Sequence, residues 1–110
     1  MLIAIAVTQP NRDADLDPRF GRARHFCVWD PTTTTPSFFD NPSNERQQGA
    51  GLHTASFVLE LGVEAVIAGE FGPKAAQVLK EANCPAYATT TRTLASVMEA
   101  WRSGAIQADA

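Results

Sequence analysis

The chain begins with an unbroken apolar run, Leu2-Ile3-Ala4-Ile5-Ala6-Val7. Such a run, with β-branched members, predicts a strand covered on both faces. Residues 8–24 are mostly polar and contain Pro10, Asn11, Pro18 and Gly21, which predicts a long loop. His25-Phe26-Cys27-Val28-Trp29-Asp30 reads as a second strand. Pro31 and the threonines up to Thr35 read as a turn, and Ser37-Phe38-Phe39-Asp40 as a third strand stopped by Asn41-Pro42. The short connection predicts an antiparallel hairpin. A second polar loop, 42–51, ends in Gly49-Ala50-Gly51. The spacing then predicts a helix over 52–61, with Leu52, Ala55 and Leu59 on one stripe, Val58 beside it and Gly62 at its stop.

The second half alternates. Residues 64–68 predict a buried strand, and 69–73 a tight turn that places Pro73 at the first position of a helix reaching about Ala82. That helix carries Ala75, Ala76, Val78 and Leu79. A short strand is expected at 85–88. Thr93 is placed to cap a last helix, 94–102, with Leu94, Val97, Met98 and Trp101 on its apolar stripe. Gly104 ends it, and 105–110 reads as a flexible tail. The order is β-β-β-α-β-α-β-α. A meander followed by strand–helix alternation calls for one mixed five-stranded α/β sheet with right-handed crossovers, in one domain spanning 1–104.

This topology gathers the loops at one edge. The first and fourth strands end there, the second starts there, and the third ends there. The edge therefore collects Arg19, Arg22, Arg24, His25, Gly49, Gly51, His53, Gly69 and Gly72, together with two helix N-termini. In open α/β sheets ligands lie outside the carboxyl ends of the parallel strands. Free N–H groups at helix starts, combined with three guanidiniums, describe an anion-binding cleft. Cys84 falls at the opposite edge. Cys27 lies mid-strand on the face of His25 and Trp29.

Bulk properties narrow the function classes. A chain of 110 residues supports one core, and 45% apolar composition is that of a globular protein. A net charge of −3 argues against a nucleic-acid binder. Cys27 and Cys84 follow no CxxC spacing, so neither a disulfide framework nor a structural zinc site is expected. The N-terminal apolar run is too short for a signal peptide, and nothing approaches the roughly 18 apolar residues of a membrane span. A cytoplasmic setting, without membrane or nucleic-acid partners, is the expectation.

Asp17-Pro18-Arg19-Phe20-Gly21-Arg22-Ala23-Arg24-His25-Phe26 resembles the dinitrogenase iron–molybdenum cofactor biosynthesis family, that is, the NifX-like proteins and the C-terminal domain of NifB-type proteins. The resemblance continues through Gly49-Ala50-Gly51, through residues 62–69 and through Phe71-Gly72-Pro73-Lys74-Ala75. It spans residues 1 to about 103. It implies a ribonuclease-H-like fold and a non-catalytic carrier or storage role for iron–sulfur or iron–molybdenum–sulfur clusters, with cluster-assembly or recipient proteins as partners. The family has no strict cysteine signature, and this chain supplies none.

A metal–sulfide cluster is an anion, and arginines, N–H groups and an imidazole can hold it weakly enough for release. On that reading Arg19, Arg22, Arg24, Gly49, Gly51 and Gly72 contact the cluster, while His53 and His25 are its candidate metal ligands. Neither histidine sits where a helix dipole favours the protonated ring. Plainer readings stand beside these. The arginines also suit ion pairs with Asp13, Asp15 or Asp17, the glycines also suit tight backbone packing, and the histidines also suit plain surface positions. A two-metal nuclease would need several clustered carboxylates. The first strand carries none, and Asp30 and Glu70 stand alone. A rival in another class is a cluster-free interaction module that recognises an acidic surface or a small anion. The third strand, if it is a sheet edge, also allows homodimerisation.

Overall fold

The computed structural model describes residues 1–33, 35–45 and 48–106. Thr34 of the threonine run, Arg46 and Gln47 of the 42–51 loop, and 107–110 of the expected tail lie outside the described residues. The elements are β1 (Ile3–Val7), β2 (His25–Trp29), β3 (Ser37–Asp40), α1 (Ala50–Glu60), β4 (Ala65–Ala68), α2 (Pro73–Glu81), β5 (Ala86–Ala88) and α3 (Leu94–Arg102). They form one sheet in the order β3-β2-β1-β4-β5. β1 pairs antiparallel with β2 and parallel with β4, β2 pairs antiparallel with β3, and β4 pairs parallel with β5. β3 is an edge strand, as the hairpin reading anticipates.

Helices cover both faces of the sheet, which explains the unbroken apolar run of β1: all five of its residues are buried. Alternation then sorts its side chains. Ala4 and Ala6 join Phe26, Val28, Val66 and Ala68 under α1 and α2, whose Ala55, Val58, Ala75 and Leu79 close that core. Ile3, Ile5 and Val7 join Cys27, Trp29 and Ile67 under Leu94 and Val97 of α3. Small alanines face two helices and larger side chains face one. Thr93 caps α3, its hydroxyl accepting from the Ser96 N–H at 3.1 Å. Ile106, inside the stretch read as a tail, packs against the α3-side core.

Two features differ from the reading of the sequence. α1 starts at Ala50 rather than near Leu52, and it buries Ala50, Thr54, Ala55 and Val58. Leu52 points to solvent and is 40% exposed. The inward stripe runs through a threonine, so a search for apolar positions alone chose the wrong one. Residues 8–24 are also far from slack. They form isolated bridges Val7↔Leu16, Asp15↔Thr93 and Arg19↔Glu70. Ala14, Leu16, Phe20 and Ala23 are buried in the cores. The segment laces across the carboxyl ends of β1 and β4 and fixes the ground on which the arginines stand.

Candidate functional site

The arginine segment is held by close backbone contact. A Cβ on Gly69 would lie 2.6 Å from the Pro18 Cα, and one on Gly21 would lie 2.9 Å from the Gly51 Cα. The Asp17 N–H donates to the Ala6 carbonyl at 2.8 Å, the Gly69 N–H to the Asp17 carbonyl at 3.4 Å, and the Phe20 N–H to the Glu70 carbonyl at 3.2 Å. Phe20 is the buried anchor, with its ring centroid 5.5 Å from that of Phe26 and 5.0 Å from that of Phe71. Asp17 is buried and accepts the Arg19 N–H at 3.0 Å, while the Arg19 guanidinium stands 4.0 Å from the same carboxylate oxygen. The ion pair anticipated between this loop's acids and arginines is therefore present at Asp17, and the Arg19 side chain stays 62% exposed.

A cleft of about 290 Å³ opens where this segment meets the two helix starts. Arg19, Gly21, Arg22, Gly51, Glu70 and Gly72 are among its lining residues. α1 begins after Gly49, in the left-handed region at φ 73°, and α2 after Gly72. Neither helix has a side-chain cap or an acidic residue in its first turn. The first N–H groups of a helix have no partner within the helix, so both starts keep donors for something else. The helices approach each other closely here, since a Cβ on Gly51 would lie 3.3 Å from the Ala75 Cβ. Arg24 lines an adjoining hollow of about 150 Å³ with Arg19, Arg22, Asn44 and Glu45, in which Arg22 donates to the Asn44 carbonyl at 3.4 Å. Glu70 is the acidic member of the main cleft and works against an anion there. Two helix N-termini and the guanidiniums outnumber it.

The structure brings Arg19, Arg22, Gly51 and Gly72 into one cleft and Arg24 next to it. Gly49 sits just behind, and a Cβ there would lie 3.3 Å from the His53 ring. His53 is exposed in the first turns of α1. His25 goes elsewhere. It pairs with Asp40 across β2 and β3, Nδ1 to Oδ1 at 2.8 Å, on the α3 face of the sheet, whereas α1 and His53 lie on the other face. Strand alternation forces this separation, because His25 shares its face with Cys27 and Trp29. Among the described residues no group of three or more His, Cys, Asp or Glu side chains is placed to hold a metal ion.

A larger hollow of about 490 Å³ lies along the same edge and was not anticipated. Thr8, Asp15, Gly69, Glu70, Thr91 and Arg92 are among its lining residues. It meets the arginine cleft at Glu70. Nothing in the composition of 89–92 marks it, because those residues come to the edge only through the pairing of β5 with β4.

Both cysteines are free and buried. Burial pushes the Cys27 thiol up from its ordinary 9.0 to about 12, against a smaller pull from Arg12. Burial, and then the Glu64 carboxylate, also raises Cys84. Burial thus keeps both thiols protonated near neutral pH, and thiolate is the nucleophilic form. We expect no thiol to react with Ellman's reagent at pH 8 in the native protein and both to react after unfolding. Fast reaction of Cys27 in the native protein would contradict this placement. The same shift has a sign for stability. Above pH 9 the unfolded chain sheds a proton that the folded chain keeps, so stability falls as pH rises beyond that point.

No helix among the described residues is long and apolar enough to cross a membrane. A family model described as dinitrogenase iron–molybdenum cofactor matches residues 1–104. The apo form of the orange protein from Desulfovibrio gigas superposes with a TM-score of 0.93 at 31% identity, over 99% of this chain and 92% of that one. A Thermotoga protein proposed to be a NifB protein superposes at 0.84 with 23% identity, over 97% and 91% of the two chains. An uncharacterized protein of Methanocaldococcus jannaschii is 25% identical over 95 residues, 84% of this chain and 80% of its own length.

Proposed function

The chain belongs to the dinitrogenase iron–molybdenum cofactor family, and from that premise we propose that it is a non-catalytic carrier of an anionic metal–sulfur cluster during cofactor assembly. The observation that carries this reading is the cleft of about 290 Å³ at which two uncapped helix starts meet Arg19 and Arg22. Such a site attracts charge and shape rather than one metal. It offers N–H and guanidinium donors to cluster sulfides and does not enclose a bare ion. Cargo held this way can be released, which a carrier requires. Arg24, Gly49, Gly51 and Gly72 border the site on this reading, with Gly72, whose Cβ position has no atom within 4 Å, leaving backbone open to close approach. His53 is the one imidazole on the same side of the sheet and is our candidate for a metal of the cluster. His25, bound to Asp40, is the weaker one. The similarity to the orange protein, which has an apo form, supports the reading.

The sheet order β3-β2-β1-β4-β5 also supports assigning a ribonuclease-H-like arrangement. Partners on this reading are proteins that deliver and receive the cluster, and the setting is the cytoplasm. One domain, 1–104, does the work.

Anaerobic reconstitution with ferrous iron and sulfide, desalting, and assay of iron, sulfide and visible absorption tests the proposal. The native chain is expected to keep colour and metal, and His53→Ala to keep less. Equal retention by His53→Ala leaves the carrier reading standing and removes the histidine from it. A native chain that emerges colourless overturns the reading. The absence of a three-ligand group among the described residues favours one alternative in that case, a module that binds a small anion or an acidic partner. Capture of assembly proteins by the metal-free chain then becomes the expected behaviour.

A further inference from the structure

Beneath the arginine cleft lies a small polar knot inside an otherwise apolar core. Asn41 is 3% exposed, Ser43 7% and Thr54 0%. The Asn41 side-chain amide donates one proton to the Ala23 carbonyl at 2.8 Å and the other to the Thr54 hydroxyl at 3.1 Å. The Thr54 hydroxyl donates to the Gly21 carbonyl at 3.1 Å, with the Asn41 side-chain oxygen a more distant acceptor at 3.4 Å. The Asn41 side-chain oxygen accepts the Ser43 N–H at 3.0 Å, and the Asn41 backbone N–H donates to the Arg24 carbonyl at 2.9 Å. Three separate segments meet in this knot: residues 21–24 of the arginine loop, the turn 41–44 after β3, and α1. The same turn supplies the Asn44 carbonyl that receives the Arg22 guanidinium.

We infer that Asn41, acting through Thr54, is the positioning residue that fixes the Gly21–Arg24 backbone against α1, and with it the angle at which Arg22 meets the anion in the cleft. The inference rests on the cleft being the binding site and adds the device that sets its geometry. Only an amide has two donors and an acceptor on so short a stem. Aspartate has the same shape without the donors, and serine lacks the reach. Burial makes the arrangement strict at Ala23, which is 0% exposed, since an unpaired carbonyl there has no water to turn to. The knot therefore allows one loop conformation where a simple apolar plug would allow several. An arginine presented in one orientation loses less freedom on binding than one held by an exposed loop.

The test separates positioning from packing with two substitutions at Thr54. Thr54→Val keeps the volume and removes the hydroxyl, while Thr54→Ser keeps the hydroxyl and removes a buried methyl. Each is reconstituted with ferrous iron and sulfide beside the native chain and Arg22→Ala, and backbone amide resonances of 21–24 are recorded in the metal-free proteins. Thr54→Val is expected to shift those resonances and to weaken cluster retention about tenfold, as loss of an outer-shell support does at metal sites. Thr54→Ser is expected to stay near native in both. Equal losses in the two variants, or native retention by Thr54→Val while Arg22→Ala fails, overturn the inference. If the native chain itself holds no cluster, the carrier reading has failed, and the resonances decide the positioning role: unmoved in Thr54→Val, they end it.

Discussion

Gly69→Ala is expected to lower stability by about 3 kcal/mol, the upper end of the usual overpacking range. The reason lies in what the new methyl meets. Its carbon would lie 2.6 Å from the Pro18 Cα, 2.8 Å from the Pro18 carbonyl oxygen and 3.1 Å from the Pro18 carbonyl carbon. All three are backbone atoms and cannot swing aside as a lysine tip would. The Pro18 segment cannot retreat as a whole either. It is bound on one side through Asp17 to the Ala6 carbonyl and on the other through Phe20 to the Glu70 carbonyl, while the Phe20 ring is buried. Either β4 parts from the segment, breaking these bonds, or the arginine loop lifts and takes Phe20 out of the core. For a domain of this size 3 kcal/mol corresponds to a fall of roughly 12 °C in melting temperature. Gly72→Ala is the control. No atom lies within 4 Å of its Cβ position and its φ is −68°. Its stability should match native or gain about 0.5 kcal/mol from a stiffer unfolded chain. Thermal and urea unfolding of the two variants decide the matter, and a Gly69→Ala protein as stable as native would show that the contact relaxes freely. Gly72→Ala has a second use. Because it does not disturb the fold, any loss of cluster retention in it reports a ligand resting on that backbone.

The sequence shows the elements more clearly than the site, and particular residues explain why. β1 and β4 are legible because burial on both faces leaves no polar interruption. Thr93 and Pro73 are legible because capping chemistry is local. The convergence of Arg19, Arg22, Gly51 and Gly72 also follows from topology, since strand direction alone sends their loops to one edge. Two things escape that logic. The face of a strand residue depends on the pleat, and the pleat takes His25 to the α3 side, bonded to Asp40, while His53 stays with α1. Edge position could bring the two histidines together, but facing could not. The Asn41–Thr54 knot escapes for a different reason. The bonds that join its three segments link residues 13 to 33 positions apart, and neither a lone asparagine after a strand nor a threonine inside a helix differs from the commonplace until the partners are in place. Thr54 even misled the reading of α1, whose inward stripe it interrupts in sequence and completes in space.

The arginine pair should dominate binding. Replacing Arg19 and Arg22 together with alanine is expected to cut cluster retention about fiftyfold, equivalent to a little over 2 kcal/mol, with Arg22 the larger contributor. Arg19 is 62% exposed and already neighbours Asp17, so solvent and a local acid screen it. Its share should be that of a surface charge pair, about 0.2–1 kcal/mol. Arg22 is half-buried, and the Asn44 carbonyl orients it beside the cleft. A charge-assisted bond from such a group contributes about 1.5–3 kcal/mol. The helix starts remain in the double variant and add about 0.3–1 kcal/mol each, which is why binding should weaken rather than vanish. Lysine at both positions separates charge from shape. It restores the charge without the planar fork that matches two acceptors at once. A site that reads only charge would recover nearly all its affinity, whereas a site that reads orientation would recover a fraction. Raising the salt concentration adds an independent axis. Screening should weaken the native complex, and weaken the double alanine variant much less, because the charges that salt shields are the ones removed. Retention measured by iron and sulfide content at two ionic strengths gives both answers. Parallel salt dependence in native and variant would place the cluster away from Arg19 and Arg22, and the hollow at Thr8, Thr91 and Arg92 would then be the next place to look.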